Sequence, residues 1–205
     1  MSGRRVYIVD DEEPIRRSLR LLLTVEGYAV TLFDSGDSLL DAIDGLVPGI
    51  LMLDLRMPGK DGLEVLHAIS ARGTVLPTVV MTGHGDLPVT VAALRQGAVA
   101  FLPKPFTRAA AIAALDKAFL KLEQPEQYHG RLRDAARALE GLAAEDRRLL
   151  DHLAAGGTSE TIAAELSLGP DELETARSRI VSKLGVAQIG DAIGLALEAG
   201  LAREA

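Results

Sequence analysis

The sequence predicts two domains: a doubly wound α/β domain with a five-stranded parallel sheet, followed by a small all-helical domain. Three observations carry this reading. Five short apolar runs alternate with helical periodicity over about the first 120 residues, a Pro- and Gly-punctuated segment follows, and beyond it no strand pattern recurs. Alternation of strand and helix implies parallel strands joined by right-handed crossovers.

The strands are VYIVD (6–10), AVTLF (29–33), ILMLD (50–54), TVVMT (78–82) and AFLPK (100–104). Each is brief and mostly unbroken in apolar residues, the pattern of strands buried on both faces. Between them, apolar residues recur at helical spacing, as with Ile15, Leu19 and Leu22 in the first helix and Ile112, Leu115 and Phe119 in the last. The segment QPEQYHG (124–130) reads as a linker, because Pro125 interrupts any continuation of the last helix and Gly130 sits among polar neighbours. Helical patterns then cover 132–142, 146–155, 159–166, 171–184 and 191–201, separated by Gly156-Gly157, Gly169-Pro170 and Gly185. The expected division is 1–123, a linker or connecting helix at 124–138, and 139–205.

Composition narrows the function classes. There is no cysteine, which excludes disulfides, thiolate metal sites and cysteine nucleophiles and fits a reducing compartment. Aromatics are scarce, so the cores must be built from Leu, Ile, Val and Ala. No apolar run approaches the roughly 18–20 residues that span a bilayer. The start, MSGRRVYIVDDEE, turns acidic straight after one apolar run and does not read as a signal peptide. A cytoplasmic protein with no membrane partner is expected. The net charge of −7 argues against a general nucleic-acid coat protein. From residue 126 onward 14 acids face 9 bases, a net −5, so the helical half is the more acidic one.

In a doubly wound sheet the carboxyl ends of the strands converge on one crevice. Asp10 and Asp11 follow the first strand, Asp54 closes the third, Thr82 closes the fourth and Lys104 follows the fifth. Carboxylates crowded there repel one another unless a hard cation sits among them, and Mg²⁺ takes oxygen ligands from a few carboxylates plus waters. A metal-bound carboxylate beside an ammonium and a hydroxyl has the parts for accepting a phosphoryl group.

These motifs, DD at 10–11, LMLDLRMPGKDG at 51–62, MTGHG at 81–85 and FLPKPF at 101–106, resemble the receiver domain of two-component response regulators. The resemblance covers about residues 4–123 and implies a flavodoxin-like sheet. It also implies that Asp54 is the phospho-acceptor for a sensor histidine kinase. Asp10 and Asp11 would bind Mg²⁺, with Asp11, Asp54 and the backbone carbonyl of Arg56 as direct ligands. Lys104 would pair with phosphoryl oxygens, Thr82 would hydrogen-bond one, and the Lys104–Pro105 bond would be cis. Arg56 and His84 would rim the pocket and govern water's access to the acyl phosphate. The implied switch couples Thr82 to Phe101 on the fifth strand. Its readout is the face of the fourth helix (about 87–96), the fifth strand and the fifth helix (about 107–122), through which relatives form homodimers on phosphorylation. No turnover enzyme is expected, since the position two beyond Asp54 is Arg56 rather than a second acid.

SETIAAELSLGPDELETARSRIVSKLGV (159–186) resembles the helix-turn-helix of the LuxR and FixJ type, attached to a receiver as in FixJ-like regulators. Ile162, Ala163, Leu166, Leu168, Leu173, Ile180 and Leu184 fall where that bundle's core belongs. The sequence departs from the family at the start of the recognition helix, where Pro170, Asp171 and Glu172 stand in place of hydroxyls and a base, and where Ala176 replaces a His or Tyr. Acids in a helix's first turn complement its dipole, but they repel phosphates, and neutralised phosphates supply much of DNA affinity. Arg177, Arg179 and Lys183 offer one helical face of backbone contacts. Two readings follow: a phosphorylation-dependent DNA-binding regulator of transcription, or a response regulator whose helical domain acts through protein or intramolecular contacts.

Overall fold

The computed structural model describes residues 3–83 and 87–204, the side chains of 87 and 201–204 excepted. Five strands, β1 (Arg5–Val9), β2 (Ala29–Phe33), β3 (Ile50–Asp54), β4 (Thr78–Thr82) and β5 (Ala100–Pro103), form one sheet in the order β2-β1-β3-β4-β5. All neighbours are parallel, with Val6 opposite Val30 and Ile50, and Asp54 opposite Met81. β3 and β4 are buried along their whole length, which is why their sequences run apolar without alternation. The order reverses between β1 and β3, the topological switch point at which doubly wound sheets open a crevice.

The helices interspersed with these strands along the chain are α1 (Glu13–Val25), α2 (Gly36–Ala42), α3 (Gly62–Ala71), α4 (Leu87–Arg95) and α5 (Arg108–Glu123), with a 3₁₀ turn at Ile43–Gly45. Local chemistry fixes their starts. Ser35 and Asp61 each close a reciprocal capping box, with Ser38 and Glu64 respectively, and the Thr107 hydroxyl accepts from the Ala110 amide.

The second half holds α6 (Pro125–Glu140), α7 (Ala144–Ala154), α8 (Ser159–Leu166), α9 (Pro170–Leu184) and α10 (Ile189–Glu204). The expected linker 124–130 is a helix start. Gln124 leaves the helical region (φ −139°, ψ 63°), and Pro125 then occupies the first position of α6. There a missing N–H costs nothing and the fixed φ is already helical. Proline ended one helix as expected and, in doing so, began another.

Contacts divide the described residues into two compact units, one drawn from 3–83 and 96–124, the other from 87–95 and 125–204. The core of the first is built on Val6, Ile8, Leu51, Leu53, Val80 and Phe119, that of the helical one on Leu149, Leu150, Leu153, Ile162, Leu173, Ile180 and Ile193. Ala163, Leu166, Leu168 and Leu184 are half-buried around the latter.

Candidate functional site

The crevice at the carboxyl ends of β1 and β3 gathers the charged residues. Asp10 follows β1 and is fully buried; its Oδ1 accepts from the Glu12 amide at 2.9 Å. Its backbone carbonyl accepts from Arg16 Nη1 at 2.6 Å. Asp54 ends β3 and is 5% exposed. Lys104 reaches in from the end of β5 and donates from Nζ to Asp10 Oδ2 at 2.7 Å and to Asp54 Oδ2 at 2.9 Å. Asp11 is exposed, yet one oxygen from each of Asp10, Asp11 and Asp54 lies within 4.8 Å of the others. The Arg56 amide donates to Asp54 Oδ1 at 3.4 Å.

The surroundings hold this geometry. The Lys104 amide donates to the Thr82 carbonyl at 2.7 Å, extending the β4–β5 ladder to the lysine, and the Lys104–Pro105 bond is cis. Thr82 is buried at the end of β4, its hydroxyl 3.3 Å from the Gly83 carbonyl, and Phe101 is buried on β5. Gly62 lies so close beneath Asp54 that a Cβ would meet the Asp54 carbonyl oxygen at 2.5 Å. That approach is the physical reason for glycine after Asp61. His84 lies outside the described residues.

The electrostatics follow from burial. Desolvation pushes the Asp54 carboxyl above its ordinary value, against the Lys104 hydrogen bond and charge that favour the anion. Burial also works against the Lys104 ammonium, but its hydrogen bonds and attraction to Asp10 and Asp54 prevail and hold it above its usual value. Three acids facing one ammonium leave the crevice net negative. An all-oxygen set of this kind suits a hard divalent cation.

On the helical unit, a short turn joins α8 to α9. The turn carries Ser167 in the left-handed region (φ 55°), and Glu172 Oε2 accepts from the Gly169 amide at 2.7 Å. Asp171, Glu172 and Glu174 are exposed in the first turns of α9. The three bases of α9 do not share one face. Arg177 turns to α8, donating to Ser159 Oγ at 2.9 Å and to Glu174 Oε1 at 2.7 Å. Arg179 and Lys183, one helical turn apart, reach α7. Arg179 donates to Asp146 Oδ1 through Nε (2.8 Å) and Nη2 (2.5 Å) and to Glu145 Oε1 at 3.1 Å, while Lys183 Nζ donates to Asp146 Oδ2 at 3.2 Å. The physical reason is the 100° step of the helix, which sets residues two apart on opposite sides.

Asp146 was not singled out by the sequence. An acid in a helix's first turn reads as a dipole partner, and nothing local marks it as a fully buried carboxylate under two cations from a helix more than 30 positions away.

The response regulator receiver domain family matches residues 6–116. The transcriptional regulatory protein FixJ of Bradyrhizobium diazoefficiens is 35% identical over 196 residues, 96% of each chain, and that of Rhizobium meliloti is 34% identical over 200 residues, 98% of each. Among solved structures, full-length FixJ from B. japonicum superposes with a TM-score of 0.60 at 34% identity, covering 98% of this chain and 99% of that one. The crystal structure of FixJ-N matches over 58% of this chain and 94% of its own, at 42% identity and a TM-score of 0.56. With its receiver motifs on the ends of β1, β3, β4 and β5, the chain belongs to the FixJ-type response regulators.

Proposed function

We propose that this response regulator controls transcription through phosphorylation of Asp54 by a sensor histidine kinase. The observation that carries the reading is Lys104 bridging Asp10 and Asp54, with Asp11 in reach of both. In the transfer, the phosphorus–nitrogen bond of a phosphohistidine breaks as an Asp54 carboxylate oxygen bonds to phosphorus. Asp11, Asp54 and the Arg56 carbonyl, with Asp10 supporting, would hold Mg²⁺, which would supply positive charge to the transferring oxygens. Lys104, already hydrogen-bonded to Asp54, is placed to exchange a carboxylate for a phosphoryl oxygen. Thr82 turns its hydroxyl toward the new group, and Phe101 follows on the next strand. Arg56 and His84 rim the pocket, and the α4 and α5 surface pairs two activated copies.

Treatment with acetyl phosphate and Mg²⁺ tests the acceptor. Wild type is expected to take up label and Asp54→Asn none; persisting label on the variant would refute the assignment. Sedimentation with and without BeF₃⁻ and Mg²⁺ tests the pairing, for which an unchanged mass distribution would be the contrary result.

DNA is the proposed target of the helix-turn-helix. A second reading, output through a protein partner, is favoured by one specific observation: Asp171, Glu172 and Glu174 are exposed at the start of α9 while Arg177, Arg179 and Lys183 are engaged by oxygen acceptors. A mobility shift of BeF₃⁻-treated protein on sheared genomic DNA separates the two. A retarded band that fades with salt supports DNA binding, and none at low salt supports the protein partner.

A further inference from the structure

We infer that Asp146 is an electrostatic governor of the helical unit: it withdraws Arg179 and Lys183 from DNA phosphates and so sets how strongly α9 can bind. The inference rests on the DNA-binding reading. Asp146 is fully buried, and both its oxygens are occupied, Oδ1 by Arg179 and Oδ2 by Lys183. Glu145 adds a second carboxylate to the same guanidinium. The four side chains sum to zero charge, two acids against two bases. Their partners reach them from α7, so the cations lie along the α7–α9 contact, and 39% and 43% of their side-chain surfaces remain exposed. A phosphate approaching that surface meets a neutral quartet and displaces few counterions.

Salt dependence reads this directly, because each phosphate neutralised adds about −0.9 to the slope of log affinity against log salt. The measurement uses the full chain treated with BeF₃⁻ and Mg²⁺. Anisotropy of a fluorescein-labelled duplex of mixed sequence is followed between about 50 and 200 mM salt. Asp146→Asn leaves the quartet with one net positive charge, so its slope is expected to steepen by about 0.9, a further loss of about 3.5-fold across that range. Glu145→Gln changes an acid that is 75% exposed and leaves the buried carboxylate in place, and the same steepening is expected. It keeps the test decisive where Asp146→Asn does not fold. Lys183→Gln is expected to leave the wild-type slope unchanged.

A Lys183→Gln slope shallower by about 0.9, with no steepening in either acid variant, overturns the governor and makes Lys183 a phosphate contact positioned by Asp146. Binding that appears only in the acid variants supports it. Absence of binding in wild type and in every variant overturns the DNA reading and the governor together, an outcome distinct from an unchanged slope.

Discussion

Asp54 sits under two opposed influences, desolvation raising its pKa and the Lys104 ammonium lowering it, and desolvation prevails. A carboxyl whose folded pKa lies above its unfolded one contributes stability below the ordinary carboxylate value of about 4, and that contribution is lost as pH rises through the folded value. At neutral pH and without Mg²⁺ the ionised group therefore costs stability. Asp54→Asn is expected to raise stability to urea at pH 7, with the gain disappearing as pH falls below the ordinary carboxylate value of about 4. A variant no more stable than wild type at pH 7 would contradict the burial argument. Gly62 makes a second, steric case, since its absent Cβ leaves room for the Asp54 carbonyl at 2.5 Å. Gly62→Ala is expected to cost about 2 kcal/mol and to slow acetyl-phosphate labelling as the loop under Asp54 shifts.

At the scale of the element, Tyr128 of α6 is buried and donates its hydroxyl to Glu198 of α10 at 2.7 Å. Burial and that carboxylate hold the phenol well above its ordinary value. Tyr128→Phe removes a hydrogen bond to a charged group and is expected to lower stability by about 2 kcal/mol, readable as a lower urea midpoint of the helical signal. Asp146 ties α7 to α9 and gives a pH signature of opposite sense to Asp54. Hydrogen bonding from Arg179, with help from Lys183, holds its carboxyl below its usual range against the opposing effect of burial. Its contribution is thus present above about pH 4 and lost as pH falls through the lowered value. Between pH 5 and pH 3 the wild type is expected to lose more stability than Asp146→Asn, and equal losses would count against the bridge.

Legibility differed between these elements for physical reasons. β3 and β4 carry buried runs bounded by polar ends, so the pattern gave their limits, and Asp10, Asp54, Thr82 and Lys104 could be placed from strand ends alone. Pro125 was ambiguous because the same ring that breaks a helix suits the first position of a new one. The pairing of Arg179 and Lys183 with Asp146 left no local trace, since it depends on how α7 packs on α9. Sequence spacing shows that two bases share a helix; it does not show which acid on another helix receives them.

Across the whole molecule, charge and topology assign different work to the two units. The first concentrates carboxylates at the switch point of a parallel sheet, where a half-buried ammonium offsets part of their repulsion. The second carries net negative charge from residue 126 onward and ties both cations of one α9 turn to α7. Among the described residues no single helix is long and apolar enough to cross a membrane. The central claim is that the first unit's crevice acts as a Mg²⁺-dependent acceptor. The most direct measurement incubates the full chain with acetyl phosphate, with Mg²⁺ or with a chelator, and maps the label by borohydride trapping and mass spectrometry. Label on Asp54 that requires Mg²⁺ is the predicted result. Label on another residue, or equal labelling of Asp54 with the metal chelated, would contradict the account.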